Sequence, residues 1–191
     1  MTHDHGSLTE SSSPPSRDQS WSFVVVTVSD ASTLETDRRG QWIADLFASS
    51  RHRVRERVIV PDDPEKLALV LEHWLASELV DGILVTGGTG VASAEGTSSP
   101  RRAPFDSRTS VDVARERLDR EIPGFAELFR MLSHRHIGSG AMLISAIAGF
   151  ARGKLLVVLP GSLGAVELAM EELILPELDS LLRDLRPKAR E

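Results

Sequence analysis

The 191-residue chain contains no cysteine, which excludes disulfides, a thiolate nucleophile and any zinc site built on sulfur ligands. It also lacks a basic excess: 22 lysines and arginines against 28 aspartates and glutamates leave a formal net charge of -6. Binding to a polyanion by counterion release needs clustered positive charge, so nucleic acid is not an expected partner. No apolar run approaches the roughly 18 residues that cross a bilayer. The opening "MTHDHGSLTESSSPPSRDQS" has neither the basic nor the apolar region of a secretory signal. These absences lead to the expectation of a soluble, cytoplasmic protein. Familiar motifs are missing as well. There is no GxxxxGK[ST] loop, Ser93 stands where a dinucleotide fingerprint would need glycine, and Pro160 replaces the first glycine of a nucleophile elbow around Ser162.

What is present is ordinary globular usage, 41% hydrophobic and 26% charged, in a length suited to one domain. Residues 1–20 have almost nothing to bury and are expected to be a disordered tail, with residues 21–191 forming the domain. "SFVVVTVSD" is a continuous β-branched run of the kind buried on both faces of a parallel sheet. "RVRERVIV" alternates valine with arginine, as a half-buried or edge strand does. Between them "RGQWIADLFASS" sets Trp42, Ile43, Leu46 and Phe47 on one helical face.

"PDDPEKLALVLEHWLASELV" places Asp63 as N-cap and Pro64 at the first position of a helix, and "GILVT" follows as a strand. Beyond a polar stretch, "GFAELFRMLS" reads as a helix burying Phe125, Leu128, Phe129 and Leu132, with His134 and His136 as surface or capping residues. "GAMLISAIAGF" reads as a helix of small residues, "KLLVVLP" as a fourth strand, and Pro176 should kink or interrupt the terminal helix. Strands alternating with helices imply an α/β fold with a mostly parallel central sheet and helices on both faces.

In such folds ligands bind beyond the carboxyl ends of the strands, so the residues that follow each strand are the informative ones. Here they are "SDAST" from Ser29, "PDD" from Pro61, "GGTGVASAEG" from Gly87 and "PGSLG" from Pro160. Two of these stretches are glycine-rich and can bring backbone N–H groups to an anion. The others contribute Asp30, Asp62 and Asp63. Asp63 is better placed to cap its helix, which leaves Asp62 as the functional candidate. Amides and carboxylates around one crevice suit a phosphorylated ligand that carries a divalent cation such as Mg²⁺.

Taken in order, "TVSD", "PDD", "TGGTG", "GFAELFRMLS", "IGSGAML" and "LPGS" followed by "ILPEL" resemble the molybdenum cofactor biosynthesis protein B family. That family is similar to the molybdopterin adenylyltransferases and to the related domain of gephyrin. The resemblance runs from about Phe23 to about Leu185. It implies a three-layer α/β sandwich assembling as trimers or hexamers, with molybdopterin, ATP and Mg²⁺ as ligands and AMP transferred to the molybdopterin phosphate. It also implies that Asp62 is a catalytic and metal-binding aspartate. Gly87, Gly88, Thr89 and Gly90 match the pterin and phosphate loop, Gly161 and Ser162 a second glycine loop, and Ser29 and Asp30 the start of the crevice.

This chain departs from the family pattern twice. The loop after GGTG usually continues to an Arg-Asp pair and then Thr-Pro, whose aspartate is functional. Counting forward from Gly90 puts Glu95 there, as a catalytic and metal-binding residue. Counting back from "LDREIPGF" puts Arg108 there, with Asp106 nearby, because roughly a dozen extra residues lie around positions 94–108. Second, "AMLISA" stands where "AMLSRA" is typical, so Ile144 and Ser145 replace a serine and an arginine that could pair with phosphate. The alternative to an adenylyltransferase is thus a catalytically weak or inactive molybdopterin carrier or assembly protein.

Overall fold

The computed structural model describes residues 20–90, 108–183 and 185. The tail expected over residues 1–20 lies, but for Ser20, outside them. Six strands form one sheet: β1 (Ser22–Val28), β2 (Arg53–Val60), β3 (Gly82–Thr86), β4 (Arg120–Glu121), β5 (Ile147–Ala151) and β6 (Lys154–Leu159), in the order β2-β1-β3-β6-β5-β4. The four strands on the β2 side are parallel, while β5 and β4 run antiparallel to their neighbours. The helices are α1 (Arg38–Ala48), α2 (Pro64–Ala76), α3 (Ser110–Arg115), α4 (Pro123–Ile137), α5 (Leu163–Ala169) and α6 (Leu175–Arg183).

Side-chain alternation along the central strands divides the apolar residues into two cores. Phe23 and Val25 of β1, Leu84 of β3 and Leu155, Val157 and Leu159 of β6 pack with Ile43, Phe47, Phe129, Val166 and Leu178 from α1, α4, α5 and α6. Val24, Val26, Ile83, Val85, Leu156 and Val158 pack on the other face with Leu67, Leu71 and Trp74 of α2 and Val111 of α3. The molecule is therefore a three-layer α/β sandwich. Each fully buried side chain of this kind contributes about 1.5–3 kcal/mol, so the register is strongly held: a slip of one residue would exchange the two faces. Across the sheet Thr27 pairs with Ile59 and Thr86, and Thr86 pairs with Leu159. Four parallel strands thus end level, and their following loops emerge side by side.

The segment "GAMLISAIAGF" is not the helix its small residues suggest. A short 3-10 helix covers Gly138–Leu143, and Ile147–Ala151 is strand β5. The small residues serve close strand approach: a Cβ on Gly149 would lie 2.5 Å from the Arg120 carbonyl oxygen across the β4 pairing. Arg152 and Gly153, at φ 49° and 72°, turn the chain from β5 into β6, as the two-residue hairpin turn requires. Leu128 is also misplaced by the sequence pattern, being 47% exposed, whereas Phe125 and Phe129 are buried and stacked at 6.1 Å. Pro176 does not stop the terminal helix. A π-helical turn over Met170–Ile174 precedes it, and helix resumes from Leu175; such a turn adjusts the backbone where proline cannot donate a hydrogen bond.

Candidate active site

The loops at the level strand ends converge. After β1, the Ser29 N–H donates to the Val60 carbonyl at 2.8 Å, and the Ser29 hydroxyl receives the Ala31 and Ser32 N–H groups and contacts the Ser32 hydroxyl at 2.9 Å. Ser29 therefore shapes its own loop and holds it to the end of β2. Asp30 closes the same junction, its carboxylate accepting the Asp62 N–H at 3.0 Å. Asp63 caps α2, accepting the Glu65 N–H at 2.9 Å. Asp63 serves the helix, as the sequence implies.

Gly87 and Gly88 have φ of 95° and 65°, conformations that side-chain-bearing residues adopt only under strain. Their space is occupied as well. A Cβ on Gly87 would lie 2.4 Å from the Val28 carbonyl oxygen, and one on Gly88 would lie 2.9 Å from Val28 Cγ1 and 3.3 Å from Asp62 Oδ1. The Asp62 carboxylate thus borders the space a Gly88 side chain would fill. Gly161 belongs to the same cluster, since its Cβ would sit 3.4 Å from Gly87 Cα. Two further bonds tie the loops together: the Gly87 N–H donates to the Leu159 carbonyl at 3.0 Å and the Thr86 hydroxyl to the Pro160 carbonyl at 3.0 Å.

Thr89 is buried and Gly90 exposed at the point where the chain leaves the described residues. Glu95 and Asp106 lie outside those residues, as does most of the extra segment around 94–108. Arg108, the position reached by the backward count, is ion-paired with Glu116. The chain returns through α3, whose Thr109 and Asp112 form a capping box. Ser110 then donates its hydroxyl to the Gly87 carbonyl at 2.7 Å and its N–H to the Gly88 carbonyl at 2.9 Å. The first two carbonyls of the glycine loop are thereby engaged.

Ser162 sits at the N-cap position of α5 without a capping hydrogen bond. It lines a hollow of about 710 Å³ shared with Leu132, His136, Ile144 and Glu171, on the α4 side of the Gly161 loop. His134 and His136 lie in the last turn of α4, both exposed. Among the described residues no group of three acidic, histidine or cysteine side chains is gathered as a metal site. The Asp30 carboxylate meets the Asp62 backbone at one junction, and a cation that keeps waters and phosphate oxygens needs only one or two protein carboxylates. No described helix is long and apolar enough to cross a membrane.

Three site residues are not evident from motif reading: Asp37, Arg39 and Ser110. The Asp37 carboxylate is buried, accepting the Thr27 hydroxyl at 2.9 Å and the Gly40 N–H at 3.1 Å. It caps α1 and anchors that helix over the end of β1. Arg39, two residues on, donates Nη1–H to the Gly161 carbonyl at 2.8 Å. The available signal was "TDRRG" at the start of α1, since a helix that begins above a strand end points its first turn at the crevice.

The fold and the site define a class: a three-layer α/β protein whose glycine loops and aspartates converge beyond the carboxyl ends of its parallel strands. Residues 24–180 match the family model described as a probable molybdopterin binding domain, and the chain belongs to this family of molybdenum cofactor biosynthesis proteins. It is 38% identical over 167 residues to molybdenum cofactor biosynthesis protein B of Halalkalibacterium halodurans, covering 85% of this chain and 88% of that protein. A crystal structure of a molybdenum cofactor biosynthesis protein B superposes with a TM-score of 0.77 at 38% identity, over 87% of this chain and 96% of that one. The tungsten cofactor synthesizing protein of Pyrococcus furiosus superposes with a TM-score of 0.72 at 26% identity, over 88% of this chain and 99% of that one.

Proposed function

We propose that the chain acts in molybdenum cofactor biosynthesis by binding molybdopterin and ATP in the strand-end crevice and transferring AMP to the molybdopterin phosphate. The observation that supports this most is the convergence of three loops: Asp62 Oδ1 lies 3.3 Å from the Cβ position of Gly88, the Asp62 N–H donates to Asp30, and the Gly161 Cβ position lies 3.4 Å from Gly87 Cα. In the reaction a phosphate oxygen of molybdopterin attacks the α-phosphorus of ATP. A phosphorus–oxygen bond forms there as the bond to the β-phosphate breaks, and pyrophosphate leaves. The amides of Gly88–Gly90 and of the Gly161–Ser162 loop stabilise charge on the phosphoryl oxygens, and the fixed loops hold the two substrates in line.

Asp62, with Asp30 and Glu95, supplies the hard oxygen donors that Mg²⁺ prefers. Bound there, Mg²⁺ neutralises charge on the ATP phosphates. Use of ATP fits a cytoplasmic protein, residues 21–191 are read as one domain, and the exposed apolar residues of α4 and the following 3-10 helix suit a trimer or hexamer.

The test follows pyrophosphate release from molybdopterin, ATP and Mg²⁺. Release that falls at least 100-fold in Asp62→Ala supports the enzyme. Glu95→Gln should abolish turnover while Asp106→Asn leaves it nearly intact; the reverse would select the backward count. A second reading is favoured by Ile144 and Ser145, where a phosphate-pairing arginine is missing from the "AMLISA" stretch. In that reading the protein binds molybdopterin as a carrier or assembly partner. Molybdopterin binding without pyrophosphate release would select it.

A further inference from the structure

Among the described residues, Arg39 is the cation whose contacts reach both glycine loops. Its side chain is 16% exposed, and Nη1 donates to the Gly161 carbonyl at 2.8 Å. A Cβ on Gly161 would lie 2.8 Å from that nitrogen, and one on Gly87 3.6 Å from it. The guanidinium thus occupies room that exists because Gly161 carries no side chain, and it lies within van der Waals range of the Gly87 Cβ position. The neighbouring acid does not consume its donors. Asp37 Oδ1 is 3.8 Å from Arg39 Nε, beyond hydrogen-bond distance, while both carboxylate oxygens accept other bonds, from the Gly40 N–H and the Thr27 hydroxyl. Of the five N–H donors of a guanidinium, one is used on the described residues.

We infer that Arg39 is a phosphoryl-binding residue of the crevice, presenting its guanidinium to a ligand phosphate beside the Gly87 and Gly161 loops. The inference rests on the reading of the crevice as a site for phosphorylated ligands. Its position answers a deficit elsewhere. Ile144 borders the Gly161–Ser162 loop from the α4 side, where it lines the same hollow as Ser162, and neither it nor Ser145 can offer a charge. Arg39 approaches that loop from α1. It supplies the planar, always-charged fork suited to phosphate. The bond to the Gly161 carbonyl fixes the side chain in place before a ligand arrives, which lowers the entropy lost on binding.

The experiment measures equilibrium binding of inorganic pyrophosphate, ATP and molybdopterin, each separately, to the wild-type protein and to Arg39→Gln and Arg39→Lys. Thermal melts of the three proteins check that the fold is retained. Gln is a neutral donor and Lys a cationic one, so the pair separates charge from a mere tether to Gly161. The expected result is a loss of at least 10-fold in Arg39→Gln for one or more of the three ligands, with a smaller loss in Arg39→Lys. The ligand affected identifies whose phosphate is held. Unchanged binding in Arg39→Gln, equal losses in both variants, or no binding of any of the three ligands by the wild type would overturn the inference. Charge-dependent binding without pyrophosphate release from molybdopterin and ATP would sustain it while rejecting the transferase.

Discussion

At Gly88 the backbone and the proposed chemistry share one atom's width. With φ at 65° and a Cβ position 3.3 Å from Asp62 Oδ1, Gly88→Ala would strain the turn and push on the carboxylate. The expected cost is about 1–3 kcal/mol of stability together with a loss of turnover of at least 100-fold, read by denaturant unfolding and by pyrophosphate release. His52 gives a prediction of a different kind. It is buried, accepts the Trp21 N–H on Nδ1, and is held below its ordinary value of 6.5 by burial and then by the positive charge of Arg51. Its folded pKa being lowered, the unfolded chain takes up the proton first as pH falls. Stability present above pH 6.5 is therefore lost below it, and denaturation midpoints measured between pH 7.5 and 5.5 should decline less in His52→Gln. At this scale Asp63 was legible because a capping aspartate before a proline is recognisable from sequence. Arg39 was not, because its partner Gly161 lies 122 positions away and only the tertiary fold joins them.

Among the elements, β1, β3 and β6 announce themselves as apolar, largely β-branched runs, and α2 by its cap and proline. β5 does not. "IAGFA" is as suited to helix packing as to a strand by composition, and what decides it is the Arg152–Gly153 turn and the pairing with β6. Gly149→Ala tests that element: its Cβ would strike the Arg120 carbonyl at 2.5 Å. The overpacking should cost about 1–3 kcal/mol, seen as a lower unfolding midpoint with exchange protection lost first at β4. Helix α1 depends in the same way on one acid. Asp37→Ala removes the N-cap and leaves the buried Thr27 hydroxyl without its acceptor. A loss of about 2 kcal/mol is expected from the cap and the buried group together. The phosphate ligand tied to Arg39 should also bind more weakly, since α1 carries that side chain.

Over the whole molecule, a cluster of apolar side chains is exposed among the described residues. Leu128, Met131, Ile137, Met142 and Leu143, on α4 and the 3-10 helix that follows, are between 47% and 79% exposed. The sequence pattern assigned Leu128 to the core because helical periodicity records which face is apolar and not what covers it. A face covered by further copies of the chain reconciles the two observations. Sedimentation of the wild type should then show a trimer or hexamer, and Leu128→Glu with Met142→Glu should shift it toward the monomer. The central claim concerns the reaction, and following the α-phosphate of ATP tests it most directly. With ATP labelled at that position, molybdopterin and Mg²⁺, the account predicts that label moves into a pterin product in step with pyrophosphate release, and that Asp62→Ala prevents it. Label that stays in ATP while the protein holds molybdopterin would contradict it.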